Sequence, residues 1–157
     1  MKKHTRDLLQ ELFLAHHREK FPNFPEYARP KQMFSDKTAN GLTKCIINFL
    51  QWSGWQAERI SVTGRRVDNT RIVSDVVGFQ RKIGSVQYIK SAMTPGSADI
   101  SATICGRSVK IEVKIGADRQ SQVQKNYQLQ VEKAGGIYII AKDFESFLNW
   151  YDNFITE

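Results

Sequence analysis

Between Ser97 and Gln124 the chain reads SADISATICGRSVKIEVKIGADRQSQVQ, and this stretch narrows the folds open to it more than any other. Asp99, Ser101 and Thr103 alternate with Ile100, Ala102 and Ile104. Beyond Cys105-Gly106, Ser108, Lys110, Glu112 and Lys114 alternate with Val109, Ile111, Val113 and Ile115. Period-2 alternation predicts two strands, each with one apolar, buried face and one polar face. Gly106, at the second loop position, suits a two-residue hairpin turn that needs positive φ. The register then follows: Ile104 pairs with Arg107, Thr103 with Ser108, Ser101 with Lys110, and Asp99 with Glu112. A looser three-residue loop would set Asp99 opposite Val113 and mismatch the two polar faces, which disfavours it.

Directly opposed residues in an antiparallel pair have Cβ atoms about 4.5–5.5 Å apart. Asp99 and Glu112 therefore repel unless something cationic lies between them. Lys114 shares their face, about 7 Å along the strand from Glu112. An Asp and a Glu with an adjacent Lys on rigid strands make a divalent-metal site with a basic group beside it. Removing either acid should then relieve repulsion and leave metal-free stability level or slightly higher. A charged strand face is ordinarily just solvated, and an isolated Glu-x-Lys is a weak pattern. Here the acid pair, the lysine, the register and a following helix occur together.

These residues carry a family likeness. Asp99…Glu112-Val113-Lys114 resembles the D…E-x-K signature of the PD-(D/E)XK nuclease superfamily. The continuation through Asp118-Arg119-Gln120-Ser121, Gln124 and Gly135-Gly136 is similar to its VRR-NUC branch, especially small stand-alone phage and bacterial members. The likeness is good from Met93 to Tyr151 and loose before that. It implies a Mg²⁺- or Mn²⁺-dependent deoxyribonuclease in which Asp99, Glu112 and the Val113 carbonyl hold metal. Lys114 would orient or deprotonate the attacking water, and Gln124 would support the site from the helix. The substrate would be DNA, cut as by an endonuclease with displacement of the 3′ oxygen. Related small nucleases are associated with branched or flapped DNA, and a homodimer would suit a four-way junction.

There are departures from that pattern. Ala98 stands where the family often has Pro, and no Asp or Glu lies between Lys37 and Ala57, where many members place an acid on the first core helix. Thr38 or Asn40 would take that acid's place, with Glu58 the nearest carboxylate. Gln124 also has a purely structural reading, since Ser121-x-x-Gln124 fits a capping box.

The rest of the chain supplies an α/β frame. Residues 4–20 predict an amphipathic helix with Leu8, Leu9, Leu12 and Phe13 on one face. Prolines in FPNFPEYARP then end it. This gives a helical arm over residues 1–34, packed on the core or on a second subunit, and a nuclease-like domain over 35–157. A second helix from Ser35 or Asp36 to Trp52 would turn Leu42, Cys45, Ile46, Phe49 and Leu50 inward. A strand follows from Gln56 to Val67 with Ile60 and Val62 on one face, then strand-like pieces Ile72–Val77 and Val86–Ile89. Asp118–Ala134 reads as a helix with Val123, Tyr127, Val131 and Ala134 facing in. Ile137–Ala141 reads as a buried strand, and Asp143 caps a last helix with Phe144, Phe147, Leu148 and Tyr151 inward. This order predicts a mixed central sheet flanked by helices, as in restriction-endonuclease-like folds.

Charge is uneven along the chain. The net charge is +7, yet residues 1–90 hold 16 Lys/Arg against 8 Asp/Glu and residues 91–157 hold 7 against 8. Arg65, Arg66, Arg71, Arg81, Lys82 and Lys90 are interleaved with Phe79 and Tyr88, a mixture suited to phosphate contact and base stacking. An ordinary solvated hairpin with half-buried rings explains that mixture equally well. Arg119, just before the capping box, is a further phosphate-contact candidate. Cys45 and Cys105 have no CxxC spacing or partnering His, so reduced thiols are expected. No apolar run is long enough to cross a membrane and no signal-like segment follows Met1-Lys2-Lys3, so the expectation is a cytoplasmic protein without a membrane partner. Two other classes stay open: a nucleic-acid-binding module of nuclease fold without turnover, and a structural subunit whose charge is incidental.

Overall fold

A computed structural model describes residues 1–61, 64–91 and 93–156. The chain divides into two units, one formed by Met1–Ile60 with Gly96–Glu157 and one by Ser61–Pro95. The first unit has α/β architecture. Its elements are α1 (Lys3–Lys20), a short 3-10 turn (Glu26–Ala28), α2 (Ala39–Trp52), β1 (Gln56–Arg59), β6 (Ile100–Ile104), β7 (Arg107–Val113), α3 (Gln122–Lys133), β8 (Ile137–Ala141) and α4 (Phe144–Thr156). The second unit holds β2 (Arg65–Asp68), β3 (Arg71–Ser74), β4 (Gln80–Ile83) and β5 (Val86–Ile89).

The sheet of the first unit is mixed, in the order β1-β6-β7-β8. β6 is antiparallel to both β1 and β7, and β7 runs parallel to β8. Ile104 pairs with Arg107, Ser101 with Lys110 and Ile100 with Ile111, which is the two-residue-turn register. Cys105 and Gly106 both take positive φ, 51° and 73°, as a type I′ hairpin turn requires.

The period of two divides the sheet by chemistry. Ile100, Ala102, Ile104, Val109, Ile111, Val113 and Ala141 are buried together with Leu42, Ile46, Phe49 and Leu50 of α2 and Phe144, Phe147, Tyr151 and Phe154 of α4. Phe49 is the centre of this layer, with edge-on contacts to Phe144, Phe147 and Tyr151 at ring-centroid distances of 5.7, 5.9 and 4.9 Å. Truncating such a ring costs about 3–5 kcal/mol. The arm over residues 1–34 contributes to the same core through Leu9, fully buried, with Leu8, Leu12 and Phe34 packed against it.

The helix starts differ from the sequence reading for local reasons. α2 begins at Ala39 because Thr38 Oγ1 accepts the Gly41 N–H at 3.1 Å. Asp36 is instead buried and accepts the Phe144 N–H at 3.3 Å, tying the entry of α2 to that of α4. Gly41 is needed where it stands, since a Cβ there would lie 2.3 Å from the Ser35 carbonyl oxygen. Asp143 Oδ1 accepts the Ser146 N–H at 2.7 Å and starts α4, as expected. α3 starts at Gln122 rather than Asp118, and its expected inward stripe is only half-covered. Tyr127 and Val131 are half-buried, while Val123 and Ala134 are exposed. The neighbouring sheet face carries Lys110, Glu112 and Tyr138, so it offers that stripe little apolar surface.

The segment expected as one strand from Gln56 to Val67 is broken. β1 ends at Arg59, the Ile60 N–H donates to the Asp99 carbonyl at 2.8 Å, and β2 begins only at Arg65. Val62 lies outside the described residues. In the second unit β2 pairs with β5 and β3 pairs with β4, both antiparallel. Asp68 opposes Val86 and Arg71 opposes Ile83, so the two ladders share one register and form a single two-stranded ribbon. Between them the Asn69 N–H donates to the Ser85 carbonyl at 3.1 Å. Gly84 opposite Thr70 takes φ +100°, where a Cβ would meet the Asn69 carbonyl at 2.3 Å. No helix among the described residues is long and apolar enough to cross a membrane.

Candidate active site

The polar face of the sheet gathers the acids and the lysine. Glu112 is the second residue from the end of β7 and is only 1% exposed. Its Oε1 lies 3.0 Å from Lys114 Nζ and accepts from Gln124 Nε2 at 2.5 Å. Its Oε2 accepts from the Tyr138 hydroxyl at 3.4 Å. Asp99, just before β6, accepts the Val113 N–H on Oδ2 at 2.9 Å, so its carboxylate is held against the β7 backbone beside Glu112.

Gln124 reconciles the two roles the sequence left competing. Its Oε1 accepts the Ser121 N–H at 2.9 Å, while the Ser121 hydroxyl accepts the Gln124 N–H at 3.3 Å, a complete capping box. Its other end, Nε2, grips Glu112. One side chain thus starts α3 and fixes the carboxylate.

The electrostatics follow from burial. Burial lifts the Glu112 carboxyl above the ordinary range, the negative charge of Asp99 adds to this, and the Lys114 contact only partly opposes it. Burial alone would lower the Lys114 ammonium, but the hydrogen bonds and charges of Glu112 and Asp118 outweigh it, so its pKa is raised. Asp118 Oδ2 is 3.4 Å from Lys114 Nζ. Tyr138 is pushed well above the ordinary phenol by burial and by Glu112, so its hydroxyl stays protonated and donates.

Next to Lys114 is an open cavity of about 450 Å³ lined by Asp118, Arg119, Gln120, Lys125, Ile140 and Lys142. Arg119, a phosphate-contact candidate, lines the same cavity as Lys114, whereas Lys125, Lys142 and Tyr138 escaped the sequence reading. Tyr138 and Lys142 fall on the polar face because Lys110 pairs with Tyr138 and Glu112 with Ile140. The alternation Tyr138, Ile140, Lys142 was the available signal. Arg65, Arg66, Arg71, Arg81 and Lys82 are all in the ribbon unit.

Thr38 and Asn40, the residues expected in place of a first-helix acid, each make a hydrogen bond of their own. Thr38 is committed to capping α2, and Asn40 Oδ1 accepts from Arg59 Nη2 at 2.8 Å. Glu58 opposes Ser101 and so lies on the polar face, diagonal to the Asp99 position at about 7–8 Å. Among the described residues no group of three His, Cys, Asp or Glu is close enough to hold a metal. The donors that the resemblance implies are the Asp99 and Glu112 carboxylates and the Val113 carbonyl. All three are hard oxygen donors, and they fit an ion such as Mg²⁺ that takes one or two carboxylates and keeps water or phosphate oxygens in its remaining positions. They do not form an all-protein cage. The like charges of Asp99 and Glu112 make a nearby cation favourable.

No protein-family model matches the chain, and no curated protein or solved structure matches it.

Proposed function

We propose that this chain is a metal-dependent nuclease of the PD-(D/E)XK type that hydrolyses DNA phosphodiester bonds on a restriction-endonuclease-like frame. The observation that carries the reading is Glu112: a carboxylate 1% exposed, held between Lys114 and Gln124, with the charge of Asp99 beside it. Burying an acid against another acid disfavours its ionised form, and such arrangements cluster at functional sites.

Asp99, Glu112 and the Val113 carbonyl would hold Mg²⁺ or Mn²⁺, which when bound supplies Lewis-acid polarisation of the phosphate and a more acidic water. The remaining work belongs to this chain's side chains. Lys114, with its pKa raised, is a cation at neutral pH. That positive charge would orient the attacking water or balance charge on the phosphate. Gln124 fixes the orientation of the Glu112 carboxylate. Arg119, Lys125 and Lys142 surround the adjacent cavity with positive charge suited to a neighbouring phosphate.

A second reading, DNA binding without turnover, is favoured by the small donor set of two carboxylates. Purified protein incubated with supercoiled, linear and branched DNA, with and without Mg²⁺ or Mn²⁺, separates the two. Metal-dependent cleavage abolished by Asp99→Asn is expected. Salt-sensitive binding with every phosphodiester intact under both metals would support the second reading and overturn the first.

A further inference from the structure

The ribbon carries apolar side chains in the open. Ile72, Val76, Val77, Phe79 and Tyr88 are all exposed, Val77 by 77% and Phe79 by 75%. The half-buried rings of an ordinary hairpin are not what is found. The tip is well built: the Asp75 N–H donates to the Phe79 carbonyl at 3.0 Å and the Gly78 N–H to the Asp75 carbonyl at 3.1 Å. Asp75 Oδ1 accepts the Val77 and Phe79 N–H groups at 3.0 and 2.9 Å. Gly78, at φ +88°, supplies the left-handed residue that closes a three-residue hairpin loop. Val76, Val77 and Phe79 are thereby presented on a defined loop.

The cations behind the tip follow a pattern. Arg65 opposes Ile89, Arg66 opposes Tyr88, Arg71 opposes Ile83, Lys82 opposes Ile72 and Arg81 opposes Val73. Each ladder cation faces an apolar or aromatic residue, and none faces an acid. Among the described residues the one ion pair in the ribbon joins Arg66 to Asp68 at 3.3 Å, at the surface. A merely solvated ribbon would not need the apolar tip, and a strand face built for self-association would not need the cations. The complementary partner is anionic and apolar within a few ångströms. DNA is both, with phosphates outside and bases within, and its major groove admits a two-stranded ribbon. Apolar wedges that part base steps are an established mode of DNA contact.

We infer that Val76, Val77 and Phe79 form a wedge that enters DNA at a discontinuity in base stacking, such as a nick, branch or mismatch, while Arg65, Arg66, Arg71, Arg81 and Lys82 hold the flanking phosphates. The inference rests on the DNA-binding part of the proposed function and names its substrate class. Parting an intact step costs free energy that a damaged or branched step has already given up, so a wedge becomes a preference for discontinuous DNA.

The test is binding by the full chain in EDTA, to matched, nicked and four-way-junction DNA of one sequence, with 2-aminopurine beside the discontinuity. Wild type should bind the discontinuous forms on the order of tenfold more tightly and brighten the probe. The variant Val76→Ser/Val77→Ser/Phe79→Ser, altered only at exposed positions, should lose both effects while keeping its salt dependence. An unchanged preference in that variant, or a silent probe with wild type, overturns the inference. So does tip-dependent binding to phosphatidylserine vesicles without DNA binding, or a dimer in sedimentation that the variant abolishes. Because the readout needs no cleavage, a failed nuclease assay leaves the wedge standing. Cleavage with an unaltered preference in the variant sinks the wedge alone.

Discussion

Lys114→Met tests the centre of the site most sharply, because its cost depends on pH in a calculable way. The substitution keeps much of the side chain's volume and removes the ammonium 3.0 Å from Glu112 Oε1. Glu112, 1% exposed, is then left with Gln124 and a long contact to Tyr138. Breaking a buried pair costs about 3–5 kcal/mol when the partner must stay charged. Glu112 has a cheaper route, since it can take up a proton. Protonating an ordinary carboxyl of pKa ~4.3 costs about 3.7 kcal/mol at pH 7 and about 1 kcal/mol at pH 5. The loss in the metal-free variant is thus capped near those values, and burial of the Met side chain reduces it further. The sign follows from the raised Glu112 pKa. The variant is least penalised below the ordinary carboxyl range, and the penalty grows as pH rises through the folded-state value. At pH 7 a loss of about 2–3 kcal/mol should lower Tm by roughly 5–10 °C, against about 3 °C or less at pH 5. Single-turnover cleavage should fall by about 10²–10³-fold, the cost of losing one preorganised charged donor, with metal and DNA binding retained. Equal destabilisation at both pH values would show that Lys114 acts through packing, and an intact rate would refute its catalytic role.

Three other outcomes follow from the same geometry. Glu112→Ala strands Lys114 and opens a buried gap, so it should cost about 3 kcal/mol or more in metal-free denaturation, whereas Asp99→Ala gives up chiefly its bond to the Val113 N–H and about 1 kcal/mol. This replaces the expectation that both variants would hold or gain stability, and equal melting curves would restore it. Gln124→Ala should lose about 1 kcal/mol from the capping box and also slow cleavage, because its two ends serve both roles; a defect in only one of Tm and single-turnover rate would show that only one end matters. Neutralising Arg65, Arg66, Arg81 and Lys82 together should flatten the salt dependence of DNA binding, by about one unit of slope for each phosphate that no longer meets a cation, and an unchanged slope would move the DNA surface elsewhere.

How much of this was legible beforehand depended on the range of the interaction involved. Strand alternation is local, because side chains reverse face at every residue, so the β6–β7 register and the meeting of Asp99, Glu112 and Lys114 could be worked out from the Cys105-Gly106 turn. The capping box spans four residues and was readable for the same reason. What the line of residues could not show is what approaches from elsewhere in the chain. Asp36 looks like a helix cap, but it serves the Phe144 N–H, 108 positions away. The Tyr138 hydroxyl and the Lys125 and Lys142 charges reach the site only because β8 lies parallel to β7 and α3 crosses between them. Gln124's cap and its contact to Glu112 proved compatible, because its amide has a partner at each end. The exposure of α3 depended on the polarity of the sheet face beneath it. The ribbon emerged only when two short ladders proved to share one register. Local periodicity selects faces and turns; burial, shared protons and the company a charge keeps depend on distant segments, and these decide whether a pair of acids is a surface feature or a site.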